Sequence, residues 1–326
     1  MAGLRGLRIA VVFAGLVAVA TVTTALQTRT RASIWYRGTP AGVPRQVDLD
    51  AISAAGFSAV TWPTLYVTQA LELRRMAERA GLEVVIRTEP VPLTPESALA
   101  ADPYVDIFVS RTPARLFPSL LWRAIAHGAR IVSFDSGASE GTGLTDSKGQ
   151  PPAWAVGASA VARQLATNAV MVDTFTKGPR VRVEPPVAGL DVVLVDAGRS
   201  WVLIATSTAA SGTPPADTYA YLPAGVPSAE WLNLFDGSTI AMLRQSTGPR
   251  WHVVLGPGDV RLYAIGKIEG QPYPLSVTSS YRMPRVRALC APKASNPVSV
   301  GVVAENCSFV WPALTAARVW SSSAVR

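Results

Sequence analysis

Leu121-Trp-Arg-Ala-Ile-Ala-His-Gly-Ala-Arg-Ile-Val-Ser-Phe-Asp-Ser-Gly137 compresses a helix, its stop signal and a strand into seventeen residues. Apolar side chains recur at helical spacing through Leu116, Leu120, Ala124 and Ile125, Gly128 ends the helix, and the β-prone run Arg130–Asp135 follows at once. The same order occurs twice upstream. Val47, Ile52 and Ala55 share a helix face, Gly56 stops it, and Ser58–Trp62 reads as a strand. Leu65 to Ala80 carries Leu71, Met76 and Ala80, ends at Gly81, and leads into Glu83–Thr88. Thr112-Pro113 predicts an N-cap with proline at the first helical position. With Ser33–Tyr36 and Tyr104–Ser110, residues 32–176 hold five strands. Short helix-to-strand joints and strands without alternation predict a parallel sheet covered by helices, with functional residues at the strands' C-terminal ends.

That rhythm narrows the fold by what is missing. No Gly-x-Gly-x-x-Gly follows a strand, no Gly-x-x-x-x-Gly-Lys-Ser/Thr occurs, and Gly-x-Ser-x-Gly is absent, so dinucleotide, P-loop and α/β-hydrolase sites lack support. The remaining host is a (β/α) barrel, which needs eight units and about 250 residues. Five strands make an incomplete TIM-barrel-like parallel β/α unit. After a long helix predicted over Trp154–Phe175 the pattern changes. Val181–Glu184, Leu190–Val195, Ser200–Thr206, Tyr219–Leu222, Ile240–Leu243, Trp251–Leu255 and Val260–Ile265 read as strands near ten-residue spacing, with turns at Asp196–Ser200 and Asp236-Gly237. This predicts an antiparallel β-sandwich over 179–267. Residues 271–326 read as a Pro/Ser/Arg-rich tail.

Arg5 and Arg8 precede the apolar run Ile9 to Ala20, which continues through Leu26. Residues 1–26 are therefore a signal peptide or an uncleaved N-terminal membrane anchor, and either places the body outside the cytoplasm. Cys290 and Cys307 can pair there, or can be incidental thiols.

The chain has 326 residues, 49% hydrophobic and 16% charged, enough for two cored domains and too apolar for disorder. Two cysteines and two histidines are too few for a zinc or iron–sulfur centre, and no cofactor or metal is expected. The net charge of +8 falls mostly on the two ends, leaving residues 26–270 at +1, and no basic–aromatic motif accompanies it, which argues against nucleic acid.

Three stretches resemble exported glycoside hydrolases of the β-galactosidase-like barrel type. Trp35-Tyr-Arg-Gly-Thr-Pro40 with Val47–Ile52 and Ala55–Trp62 is similar to the family's opening βα unit, and Leu121–Gly137 to its last helix and strand. Trp231–Gly237 through Gly258–Tyr263 is similar to its C-terminal β domain. The resemblance implies a carbohydrate partner. It also implies an Asn-Glu pair after the fourth strand, and this sequence has no Asn-Glu dipeptide.

Glycoside hydrolysis needs two facing carboxyl groups. Glu89 and Asp135 are the candidates, since each lies at or just beyond a predicted strand end; the alternative is a Glu89 paired with Arg87 and a turn-forming Asp135. Trp35 and Trp62 can stack on a sugar ring or pack the core, and Arg37 and Arg87 can bind hydroxyls or neutralise carboxylates. Glu140 and Asp146 lie in a Gly/Ser-rich loop beyond the fifth strand. His127 reads as a structural cation at a helix end and His252 as a solvent-facing strand residue. Two functions stand: a protein acting on or binding carbohydrate, or a non-catalytic envelope scaffold that binds glycan or protein.

Overall fold

The computed structural model describes residues 29–93, 103–139, 141–146, 149–197, 200–226, 230–235, 238–243 and 248–265. The export segment, Glu140, the Asp236-Gly237 turn, residues 198 and 199 of the Asp196–Ser200 turn, both cysteines and the tail fall outside them.

Five parallel strands, β1 (Arg31–Trp35), β2 (Ala59–Pro63), β3 (Glu83–Arg87), β4 (Tyr104–Phe108) and β5 (Ile131–Asp135), form one sheet in the order β3-β2-β1-β5-β4. Helices α1 (Gln46–Ala54), α2 (Ala70–Arg79) and α3 (Phe117–Ala126) each carry the chain one strand over in the same direction. With right-handed crossovers, that puts all three on one face. Ile34, Val60, Trp62, Ile107 and Phe134 meet Leu49, Ile52, Leu73 and Leu120 there in a single core. Gly56 and Gly128 end their helices with φ of +96° and +97°, the left-handed region a side chain resists.

The other face of the sheet is curled inward. Thr61 Oγ1 on β2 lies 2.8 Å from Ser133 Oγ on β5, although β1 runs between them. On a flat sheet those two strands are about 9.5 Å apart. The two edges meet as well: residues 91–93, just past β3, run parallel along the free side of β4, with Leu93 N donating to Asp106 O and Asp106 N to Val91 O. The parallel unit is thus a miniature ring of strands with helices outside.

The second half is antiparallel in every named strand pairing. Strands β6 (Arg182–Glu184), β7 (Leu190–Asp196), β8 (Trp201–Ser207), β9 (Ala216–Tyr221), β10 (Glu230–Asn233), β11 (Thr239–Ala241), β12 (Arg250–Leu255) and β13 (Val260–Ile265) form two sheets, β11-β10-β13-β8-β7 and β12-β9-β6. Val192, Leu194, Leu203, Trp251 and Val253 fill the space between them. Val193, Val195, Val202, Ile204 and Leu262 point the other way and pack on α3. The larger sheet is covered on both faces, which is why Val192–Val195 and Val202–Ala205 do not alternate. Helix α3 lies between that sheet and the parallel unit, and all ten of its residues are buried.

Three expectations need correction, and one strand was not expected. A 3₁₀ turn over Ala114–Leu116 precedes α3, so Thr112-Pro113 does not open the helix; Pro118, whose missing N–H costs nothing in the first turn, does. The helix predicted over Leu65–Ala80 begins as a 3₁₀ segment (Thr64–Gln69) kinked at Tyr66. The long helix breaks at Asn168, whose φ of −108° and ψ of 12° leave the helical region, into α4 (Ala153–Thr167) and α5 (Ala169–Asp173); there the Asn168 backbone N–H and side chain both donate to the Gln164 carbonyl. Strand β10 was absent from the sequence reading.

Candidate functional site

Side chains along one parity of the parallel strands fill the ring in layers. At the N-terminal end Arg31 Nη2 lies 3.1 Å from Glu83 Oε1. Above it Ser33, Thr61 and Ser133 form a buried hydroxyl chain with contacts of 2.7 and 2.8 Å. The next layer holds Trp35, Arg87 and Asp106. Trp35 Nε1 donates to Asp106 Oδ1 at 2.6 Å, and Arg87 Nη1 to Asp106 Oδ2 at 2.8 Å. Val91 N donates to the same Oδ2. Burial pushes the Asp106 carboxyl above the usual carboxylate range, against the opposing pull of Arg87, Trp35 and Val91.

Arg37 and Asp135 close the top. Arg37 Nη1 and Nη2 donate to Asp135 Oδ1 and Oδ2 at 3.0 and 3.1 Å, and Gly137 N adds a bond to Oδ1. The Asp135 side chain is only 3% exposed and that of Arg37 22%. The guanidiniums of Arg37 and Arg87 lie 5.6 and 5.9 Å from the Trp35 ring centroid. The loop after β5 is stitched to the loop after β1 by Arg37 N to Gly141 O and Gly141 N to Gly38 O.

Of the residues singled out from sequence, Trp35, Arg37, Arg87 and Asp135 share this interior. Glu89 stands exposed just past β3, and Arg87 turns to Asp106. Trp62 faces the other way. The β1–β2 register sets Thr61 beside Trp35, so Trp62 points under the helices, fully buried between Tyr36 and Tyr66, with Nε1 donating to Tyr66 O. Asp146 accepts from Gln150 N within its own turn. Asp106 was missed, although a lone carboxylate among Val105, Ile107 and Phe108 signals a buried partner.

Both histidines find aspartates. His127 Nε2 donates to Asp191 Oδ2 at 2.6 Å, joined by Arg123 at 3.3 Å and by Arg180, on Oδ1, at 3.1 Å. Burial alone raises the Asp191 carboxyl; the bond and charge of His127, with Arg180 and Arg123, override it and hold it below the usual range. His252 lies 2.7 Å from Asp217 on the outer face of the smaller sheet. Among the described residues no group of three His, Cys, Asp or Glu is placed to hold a metal, and no helix is long and apolar enough to cross a membrane.

No protein-family model matches the sequence, and no curated protein matches it. Among solved structures, the chain is similar to a noncanonic maltogenic α-amylase from Thermotoga neapolitana (TM-score 0.45, 8% identity, 72% of this chain and 99% of that one). It is also similar to an α-fucosidase from Thermotoga maritima (0.42, 8%, 69% and 80%). A GH30 endoxylanase from Clostridium papyrosolvens is a third (0.34, 7%, 73% and 97%).

Proposed function

We propose that this chain is an exported, glycoside-hydrolase-like protein that binds carbohydrate at the mouth of its strand ring without hydrolysing it. The observation that carries the reading is the Arg37–Asp135 pair. Hydrolysis of a glycosidic bond takes two carboxyl groups facing the sugar, one of them holding a proton. Asp135 has both oxygens engaged by one guanidinium and is almost wholly covered. Asp106 is likewise spent on Trp35, Arg87 and Val91. That leaves Glu89, exposed past β3, and Arg37, partly exposed past β1, as the charged groups of the mouth open to sugar hydroxyls. The resemblance of the opening and closing βα units to β-galactosidase-like barrels supports carbohydrate as the ligand, and the missing Asn-Glu pair agrees with lost turnover.

The test is a panel of aryl glycosides and plant and bacterial polysaccharides offered to the purified protein. Retarded migration in glycan-containing gels with no released sugar is the expected result. Turnover that Glu89→Gln abolishes overturns the reading in favour of an active hydrolase. Export rests on Ile9 to Ala20: Val11→Asp with Leu16→Asp opposes insertion by roughly 2.5–3.5 kcal/mol per charge and should retain a reporter fusion in the cell. Unimpaired export of that variant removes this part of the proposal.

A further inference from the structure

Both faces of the parallel sheet and of the larger antiparallel sheet are covered, so among the described residues the outer face of β12-β9-β6 is the one sheet face left open. Its register arranges the exposed side chains in rows across the three strands. Arg182, Tyr221 and Arg250 stand side by side in one row, Glu184, Tyr219 and His252 in the next. The planar groups stack. The Tyr219 and His252 rings are 5.0 Å apart at 28°, the Arg250 guanidinium lies 4.7 Å from the Tyr219 centroid, and that of Arg182 lies 5.3 Å from Tyr221. Two of these side chains have an acid at hand: Arg182 is hydrogen-bonded to Glu184, and His252 to Asp217.

We infer that this face is a second carbohydrate platform, taking a neutral glycan chain. The inference rests on the carbohydrate reading above but places a separate site on the sandwich. Two features choose the ligand. Arg182 and Arg250 are balanced by Glu184 and Asp217, so the face sets up no field for a nucleic acid or a polyanionic glycan. The acid–base pairs Arg182–Glu184 and His252–Asp217 each offer a donor next to an acceptor, which matches vicinal hydroxyls. Tyr219 and Tyr221, about 7 Å apart along β9, and the His252 and Arg182 groups stacked on them make two flat stacks, against which the C–H faces of successive sugars can lie.

The experiment measures binding of the full chain to a mixed-linkage β-glucan, an α-glucan, an arabinogalactan and polygalacturonate. Tyr219→Ala with Tyr221→Ala should weaken binding of a neutral polysaccharide at least tenfold, while Leu71→Ala, on the exposed side of α2, leaves it unchanged. If the double variant melts early, the exposed single changes Arg182→Ala and His252→Ala serve in its place, each expected to weaken binding severalfold. Neutral-glycan binding that survives all of these but falls with Glu89→Gln overturns this inference and leaves the mouth reading standing. Binding of polygalacturonate alone overturns the inference as well. A wild type that binds no glycan overturns both.

Discussion

Arg87 and Asp106 belong to the two edge strands of a five-stranded sheet, yet their side chains meet at 2.8 Å. Along a flat sheet those strands are about 19 Å apart. The contact therefore measures how far the sheet has curled, and with residues 91–93 it fastens one edge to the other. A mixed interior follows: hydroxyl side chains and ion pairs share the narrow ring with the small apolar cluster of Ala59, Val85 and Ile131, where layers of large apolar side chains fill a full-sized barrel.

Removing one partner of that pair leaves a buried charge uncompensated. Arg87→Ala is expected to lose about 3–5 kcal/mol in urea unfolding. Asp106→Asn, which keeps an acceptor for Trp35 Nε1, should lose less. Equal small losses for both would show that the ring does not depend on the contact.

The two perturbed aspartates should bend the pH–stability curve in opposite directions. The folded-state pKa of Asp191 is depressed, so its contribution is present above the unfolded value near 3.9 and is lost as pH falls through the folded value. That of Asp106 is raised, so ionisation opposes folding as pH climbs from about 3.9 through the folded value. Asp191→Asn should flatten the acid limb, and Asp106→Asn should gain relative to wild type as pH rises. Chemical unfolding at several pH values checks both slopes.

Gly56 and Gly81 have φ of +96° and +72°, but their surroundings differ. A Cβ at Gly56 would lie 2.2 Å from Arg163 Cγ, and one at Gly81 meets nothing within 4 Å. Gly81→Ala should cost only the left-handed penalty of about 1–2 kcal/mol, and Gly56→Ala more. Arg163 hydrogen-bonds the Ala54 and Ala55 carbonyls, so it cannot move aside without loss. Thermal midpoints of the two variants rank them.

Trp62 separates packing from recognition. Trp62→Ala removes a fully buried indole and should destabilise the fold by about 3–5 kcal/mol. Measured well below its melting point, the variant should bind glycan as wild type does. Loss of affinity without loss of stability would return Trp62 to the binding surface.

What could be read without coordinates was local. A glycine stop followed within a few residues by a strand is written in contiguous sequence, and the three helix–strand joints after Gly56, Gly81 and Gly128 were legible for that reason. Trp35 and Trp62 both end strands, but which face each takes depends on the β1–β2 register, and one residue of offset moves an indole from the interior to the helix side. Asp106 was equally hidden, since its partners Arg87 and Trp35 come from other strands and reach it only because the sheet curls. Strand β10 carries one buried tryptophan and a half-buried leucine in four residues, too short a run for period to declare itself.

Helix α3 presents apolar side chains to a sheet on either side. A chain cut after residue 176 would carry into water the surface that the larger antiparallel sheet now covers, and the sandwich alone would expose Val193, Val195, Val202 and Ile204. Neither half is a portable module. Exchanging either half for another fold would mean replacing the helix as well, since its two faces serve both sheets.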